Sequence, residues 1–573
     1  MVETSNFLPS PKFCTFVKNR NYMFKYLQRA VLFAGAAIIA TSCSQPKTTT
    51  TIDEQDGLAA FNKDSLVKHI VTLSSNEFKG RRPFTIGETK TIAYLQNTFK
   101  AYGLEPGNGS SYLQEVPMVE ISPKTVSPLW VKSPKGTFDL QNINDFVLWT
   151  ERTDTVNTLK EDDLVFAGYG VVAPEYNWND YAGLDVKGKV VMVMVNDPGW
   201  DQGDSTLFKG KTMTYYGRWT YKFEEAARQG AKGCIIIHNT AAASYPFNVV
   251  QNSNSGVKLH LDKRANHAYQ LAVQGWVTHE SAIKILLYAG KDTSVLMDAN
   301  KRGFKGFDLN TKLSVMLNTK VVFNKSHNVV AKITGTKRPD ETIIYTAHWD
   351  HFGVGKPDEK GDTIYHGALD NGSGTASILE IARAFKSMKT KPERTIVFIS
   401  VTSEEQGLLG SEYYAQHPIY PVDKTVANIN IDEINNYGKT KDFTIAGAGQ
   451  SELEDYIVDE AKKTGRYLAP ETHPEAGHYF RSDHFNFAKV GVPSVSVGAG
   501  VDVVGKGKEY GQKAEDTYNQ TRYHRPADMY DSTWNLDGGM EDIEMLFQVG
   551  KRLAAESTFP QWKDGSEFKK LRQ

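Results

Sequence analysis

The stretch Glu341-Thr342-Ile343-Ile344-Tyr345-Thr346-Ala347-His348-Trp349-Asp350 decides how this chain is read. Thr342 to Ala347 are β-branched, aromatic or apolar, as expected of a strand buried on both faces. An imidazole and a carboxylate follow at once. The pattern returns further on: Arg394 to Val401 reads as a strand and runs into Ser403-Glu404-Glu405-Gln406-Gly407, and Val426 to Ile431 reads as a strand and runs into Asp432. Pro493 to Val497 is a further strand. Helical spacing over Thr375 to Ser387 and Glu404 to His417 separates these runs. Such alternation predicts an α/β fold with a mixed, largely parallel sheet sandwiched by helices. Ligands of such sheets gather outside the C-terminal ends of the strands.

Toward the N-terminus, Asp64 to Leu73 and Thr89 to Tyr102 read as helices, the second stopped by Gly103. Phe78-Lys79-Gly80-Arg81-Arg82 between them reads as a polar loop. From about Asp163 to Leu309 the texture changes to short strands (Leu164 to Val172, Lys189 to Val195, Cys234 to His238) and a helix at Tyr221 to Gln229. That block predicts an inserted β-rich domain. The expected division is a leader and signal peptide at 1–43 and a flexible tether at 44–57. The main domain follows at 58–155 and 316–562, interrupted by the insert at 156–315, and a charged, solvated tail ends the chain at 563–573. Domains usually run ~100–200 residues, so 573 residues accommodate several.

The net charge of -1 gives no case for nucleic acid, which needs a basic surface. Three cysteines, Cys14, Cys43 and Cys234, exclude a disulfide framework. Cys234, inside an apolar run, reads as a buried thiol. Cys43 is different. Lys25 and Arg29 precede an apolar run from Ala30 to Ala40, then Thr41-Ser42-Cys43. The run has the length of a secretory signal and is too short for a bilayer span of ~20 residues. Small residues ending at a cysteine resemble a bacterial lipobox, with Ala40 where a larger aliphatic residue is usual. The expectation is a protein exported by a bacterial cell and anchored to the outer membrane through lipid on Cys43. Met23 makes a better signal start than Met1.

The acidic and imidazole residues share one placement, just past a strand end: His348 and Asp350, Asp370 in Leu369-Asp370-Asn371-Gly372-Ser373-Gly374, Glu404 and Glu405, Asp432, and His524 in Tyr523-His524-Arg525-Pro526-Ala527-Asp528. A parallel sheet brings such segments to one edge. Carboxylates crowded there repel unless protonated or neutralised by cations. Imidazole with carboxylate suits zinc. Two cations ~3.5–4 Å apart need a bridging carboxylate, and Asp370 is the natural bridge in its glycine-rich surroundings. Each piece alone has a plain structural reading. Ser403 to Gln406 makes a capping box with Ser403 as N-cap, and Asp370-Asn371-Gly372 makes a turn.

At these residues the chain resembles metallopeptidase family twenty-eight, which includes di-zinc aminopeptidases, glutamate carboxypeptidases and glutaminyl cyclases. Ala347 to Gly353, Leu369 to Gly374, Ser403 to Ser411, Arg481-Ser482-Asp483-His484 and Tyr523-His524 all look like its motifs, in family order, and the N-terminal Phe78-Lys79-Gly80-Arg81 resembles the family too. The insert resembles a protease-associated domain. The resemblance implies a zinc-dependent exopeptidase fold and two zinc ions, one held by His348 and Asp432, the other by Glu405 and His524, with Asp370 bridging. It implies Glu404 as general base, Asp350 as the group orienting His348, and a cis peptide at Asp370–Asn371. It further implies Tyr523 as oxyanion donor and Arg481 at the substrate, the latter weighed against a simple ion pair with Asp483. His351, His366, His473, His478 and His484 are left as structural.

The activity implied is hydrolysis of peptide bonds at chain ends through a zinc-bridging hydroxide, with peptides as substrates and an aminopeptidase preferred. A carboxypeptidase for acidic peptides needs a cationic pocket, and no arginine cluster shows in the sequence. A glutaminyl cyclase is satisfied with one zinc. A binding protein on the same scaffold would have lost ligands that are present here. The insert, between two catalytic segments, is expected to cover the site and restrict it to short peptides.

Overall fold

The computed structural model describes residues 53–264 and 269–572. Cys43, the signal segment and most of the tether lie outside the described residues.

The strand Arg338–His348 is the centre of the main sheet. It pairs in parallel with Arg394–Val401 on one side and Thr425–Asn430 on the other. Thr425–Asn430 pairs in parallel with Ser494–Ala499, which pairs antiparallel with Asp442–Ile445. On the other flank Arg394–Val401 pairs antiparallel with the end of Phe307–Ile333. The sheet is therefore mixed and largely parallel. Helices Lys63–Leu73, Ile86–Ala101, Gly374–Ser387 and Asp537–Ala555 pack on it. Their apolar faces make one core with the strands, holding Leu66, Phe99, Ile343, Ile381, Phe398, Ile429 and Phe547. Gly103 ends the second helix in the left-handed region, at φ 76.

A second core lies between Leu129 and Leu317 along the chain. Here Val156–Phe166, Val190–Met194, Gly233–Ile237 and Val273–Val277 pair in parallel succession, and Phe146–Trp149 closes the set antiparallel. The expected boundary at 156 falls too late. Leu129, Val131, Leu140, Phe146 and Leu148 are buried in the second core with the residues of the insert. The connection is not a loop. Leu113–Val126 pairs antiparallel along Phe307–Ile333 from Leu317 to Val329, so one ribbon carries the chain both into and out of the second core. Cys234 is a buried free thiol, as expected.

Two expectations fail at the ends. Phe568, in the supposedly solvated tail, is 2% exposed and packs on Tyr479, Phe485 and Trp562. One aromatic ring outweighs its charged neighbours, which keep their heads in water. At the other end, Lys551 donates to the carbonyls of Asp53, Glu54 and Asp56, so the last tether residues lie on the main core. Among the described residues no helix is long and apolar enough to cross a membrane.

Candidate metal centre

His348 is the last residue of the central strand, and Glu404, Glu405 and Asp432 stand just past the two strands beside it. Parallel pairing sends all three chain ends to one edge. Asp370 arrives on the turn Ala368–Ser373 that leads into Gly374–Ser387. His524 arrives on the loop after Lys508–Thr521. His348 Nε2 lies 3.1 Å from Asp432 Oδ1 and 3.3 Å from Asp370 Oδ1. His524 Nε2 lies 3.1 Å from Asp370 Oδ2 and 3.3 Å from Glu405 Oε2. The two oxygens of Asp370 thus face different imidazoles. All five side chains expected to converge do so.

The expected cis peptide at Asp370–Asn371 is present. Asn371 then ties two loops together. Its amide donates to the Ile431 carbonyl at 2.9 Å and its Oδ1 accepts from Gly374 N and Glu433 N. A side chain at Gly374 would meet Asn371 Oδ1 at 2.2 Å, so this approach requires glycine.

Glu404 Oε2 lies 3.9 Å from His348 Nε2. Burial pushes its carboxyl well above the usual range; His348 pulls it down, while Asp432 and Glu405 add to the rise. Asp350 acts differently from the expectation. Its backbone carbonyl accepts from His348 Nδ1 at 3.2 Å, while its carboxylate accepts from Glu404 N at 3.0 Å. It therefore orients both the imidazole and the proposed base. Burial raises the Asp350 carboxyl to about 8. His348 is pulled down by burial, but Glu404, Asp432 and Asp370 override this and raise it. His524 rises to about 9, where Glu405 and Asp370 outweigh its burial. A site whose acids force protons onto histidines suits cations.

Ser403 to Gln406 is not a capping box. Ser403 sits at φ 56 and its side chain caps nothing; Glu404–Gln406 is a single 3-10 turn, and the helix begins at Leu409. The structural alternative for that segment thus fails, and the two glutamates point to the site. Tyr523 stacks on the His524 ring, centroids 3.8 Å apart, and is 41% exposed at the rim. Arg481 forms no ion pair with Asp483, which accepts instead from Ser411 Oγ at 2.6 Å.

Several residues that position the site escaped the sequence reading. Arg81, in the supposed polar loop, is 1% exposed. It donates to the carbonyls of Trp349, Leu73, His366 and Gly367, fastening the segments that carry His348 and Asp370. His351 Nδ1 lies 2.5 Å from Glu405 Oε1. Ser482 donates to Asp432 Oδ2 at 2.6 Å. Asp528 accepts from Leu369 N and Asp370 N, joining the His524 loop to the Asp370 loop. His351 and Asp528 stood inside quoted motifs, but nothing in their spacing showed which groups they would meet. His366 and His484 are buried, and His473 and His478 lie at the surface.

Nitrogen and oxygen donors fall into two groups, His348 with Glu404 and Asp432, and His351 with Asp370 and Glu405, each with its donor atoms within 4.8 Å of one another. This donor set fits zinc.

A probable zinc metalloprotease of Pyrenophora teres f. teres (strain 0-1) is 39% identical over 116 residues, 20% of this chain and 24% of that protein. Carboxypeptidase Q of Xenopus laevis is 25% identical over 251 residues, 43% of this chain and 42% of that protein. The chain thus spans less than half the length of either relative. The solved aminopeptidase from Aneurinibacillus sp. strain AM-1 superposes with a TM-score of 0.47 at 19% identity, over 87% of this chain and 96% of that one. The family model of peptidase family M28 matches residues 328–546, the segment that supplies His348, Asp370, Glu404, Glu405, Asp432 and His524, and the chain carries an M28 peptidase domain there.

Proposed function

We propose that this protein is a zinc metallo-exopeptidase, acting as an aminopeptidase with two zinc ions. The observation that carries this reading is Asp370, whose two oxygens face His348 and His524. His348 and Asp432 would hold one ion, Glu405 and His524 the other, with Asp370 shared. Zinc held there supplies Lewis acidity, polarising the scissile carbonyl and bringing the pKa of water toward ~7.

The chain's own groups do the rest. Glu404 takes the proton of the attacking water as the new C–O bond forms. It returns that proton to the leaving amine as the C–N bond breaks. Asp350 fixes Glu404 through its backbone N–H. Tyr523, on the open face of His524, donates to the developing oxyanion. The second core, which resembles a protease-associated domain, narrows access to short peptides. On the strength of Cys43 and its preceding apolar run, the protein is exported and lipid-anchored to the outer membrane. Cys43→Ala should release it from the membrane fraction, and unchanged partitioning counts against the anchor.

The test is metal analysis of the purified chain together with hydrolysis of aminoacyl-nitroanilides, with and without chelator. Two zincs per chain and chelator-sensitive cleavage are expected. A chain that takes up no zinc, or cleaves equally well with chelator, overturns the reading.

A further inference from the structure

Each carboxylate expected to hold zinc has a pair of oxygens, and the fold does not treat them alike. Both oxygens of Asp370 face imidazoles, Oδ1 at 3.3 Å from His348 Nε2 and Oδ2 at 3.1 Å from His524 Nε2. Glu405 turns only Oε2 toward His524, at 3.3 Å, while its Oε1 lies 2.5 Å from His351 Nδ1. Asp432 is divided in the same manner between His348 and Ser482. Each zinc position is therefore faced by one imidazole nitrogen and two carboxylate oxygens. Hydrolytic zinc sites keep three protein ligands and an open fourth position. A second oxygen from Glu405 would fill that position.

His351 has no other task on the page. Its side chain is 0% exposed and that of Glu405 4%. Among the described residues its Nε2 is buried with no partner, so Glu405 is the one polar contact of the ring. A buried polar atom left bare costs stability, and an apolar side chain in the same space would not carry that cost. With its proton on Nδ1 the ring donates to the carboxylate, a charge-assisted bond that fixes Oε1. The backbone sets the contact. The Asp350 carboxylate accepts from Glu404 N at 3.0 Å, so the next residue on each segment, His351 and Glu405, meet in turn. Arg81 holds the same segment through the Trp349 carbonyl, and Phe352 packs edge-on against the His351 ring at 4.9 Å between centroids.

We propose that His351 is a positioning residue of the metal centre: it ties off Glu405 Oε1, so that Glu405 offers zinc Oε2 alone and the fourth position stays open for water. This rests on the two-zinc reading above. His351 touches neither the ion nor the peptide and acts through Glu405.

The experiment compares the full chain with His351→Ala, His351→Asn and His351→Leu, each loaded with zinc or with cobalt and free of substrate. X-ray absorption at zinc counts the ligands. The visible absorption of cobalt, strong at low coordination number and weak at high, reports the same quantity. His351→Ala and His351→Leu free Oε1 and should raise the oxygen count at zinc, weaken the cobalt absorption and lower kcat by ~10- to 100-fold. His351→Asn sets an amide N–H near the place of Nδ1 and should restore the parent spectrum. A merely structural role would be rescued by leucine instead, which fills the space and donates nothing. Should His351→Ala not fold, the asparagine and leucine variants carry the comparison. Parent-like coordination in His351→Leu, rescue by leucine and not by asparagine, or a second imidazole nitrogen on one zinc of the parent chain, which would make His351 a ligand, overturns the inference. The peptidase reading is tested separately. A parent chain with this coordination that cleaves no peptide refutes hydrolysis alone, and a chain that cleaves peptides while every His351 variant keeps the parent coordination refutes the role of His351 alone.

Discussion

Each core buries a cluster of charged side chains, and the two clusters are resolved in opposite ways. In the second core Lys222, Asp180 and Asp197 are 0%, 1% and 0% exposed. Lys222 donates to Asn196 O and Tyr216 O, Asp197 accepts twice from Thr214, and Asp180 accepts from Val171 N and the Trp178 indole. Burial pushes Asp197 up and Lys222 down, and each restrains the other. This cluster is closed, with protein groups meeting the needs of every buried polar atom of the three side chains except Asp197 Oδ1. At the edge of the main sheet Asp350, Asp370, Glu404, Glu405, Asp432, Glu433, Asp483 and Asp528 crowd together. Arg81 is committed to four carbonyls there, and the histidines supply the remaining positive charge only when protonated. This cluster is open. Buried charge therefore does not by itself mean function: a cluster whose charges its own fold cannot balance is built for something from outside.

The strongest way to break this contrast is Asp370→Ala. Without the shared carboxylate the chain should retain fewer than one zinc and show no measurable peptidase activity, by metal analysis and aminoacyl-nitroanilide assay. Full zinc occupancy in that variant would show that the edge does not depend on a bridge. Next, Glu404→Gln should keep both zincs and lose ~10²- to 10⁴-fold in kcat, since it removes the proton carrier and leaves the donors; near-normal turnover would remove Glu404 from the chemistry.

Lys222→Met probes the closed side. Removing the ammonium that donates to the buried Asn196 and Tyr216 carbonyls and lies within electrostatic reach of Asp197 should cost ~1–3 kcal/mol in urea unfolding, with zinc content unchanged. A loss below ~1 kcal/mol would mean that the cluster is not balanced by Lys222. The smallest effect concerns His69, a second closed site, whose ring nitrogens lie 2.7 Å and 2.9 Å from the Tyr94 and Tyr102 hydroxyls. Burial, with Arg383 and Lys68 nearby, pulls its pKa down to about 4. Glu380, 3.8 Å away, is engaged by Arg383 and does not reverse the shift. Because the folded value lies below the unfolded one, the unfolded chain takes up the proton first as pH falls. The contribution is fully present above about 6.5 and is lost between there and about 4. The slope should approach ~1.4 kcal/mol per pH unit. Urea midpoints at pH 7 and 5 check this, and His69→Gln should flatten the difference.

The metal edge was legible because its signal is local. Each donor sits a residue or two beyond a strand, and apolar strand runs can be read from composition alone. Arg394–Val401 appears where it was expected, residue for residue. The long helix expected from Glu404 was not found, since Ser403 and Leu408 both take left-handed conformations to aim the glutamates. What could not be read was partnership. Phe78 to Arg81 resembled the family, but nothing in the segment showed that Arg81 would donate to carbonyls supplied by three separate stretches of chain. Phe568 looked solvated among lysines until aromatic rings from elsewhere covered it.

By itself the sequence determined the strands that end at His348, Val401 and Asn430 and the acidic and imidazole residues just past them, because periodicity and strand-end placement are properties of neighbouring residues. Only the tertiary structure decided that the second core begins at Leu129 and that Asp370 stands between two histidines. Those facts depend on sheet register and on the closure of long loops. Residues far apart in the chain meet there without leaving any mark on the residues beside them.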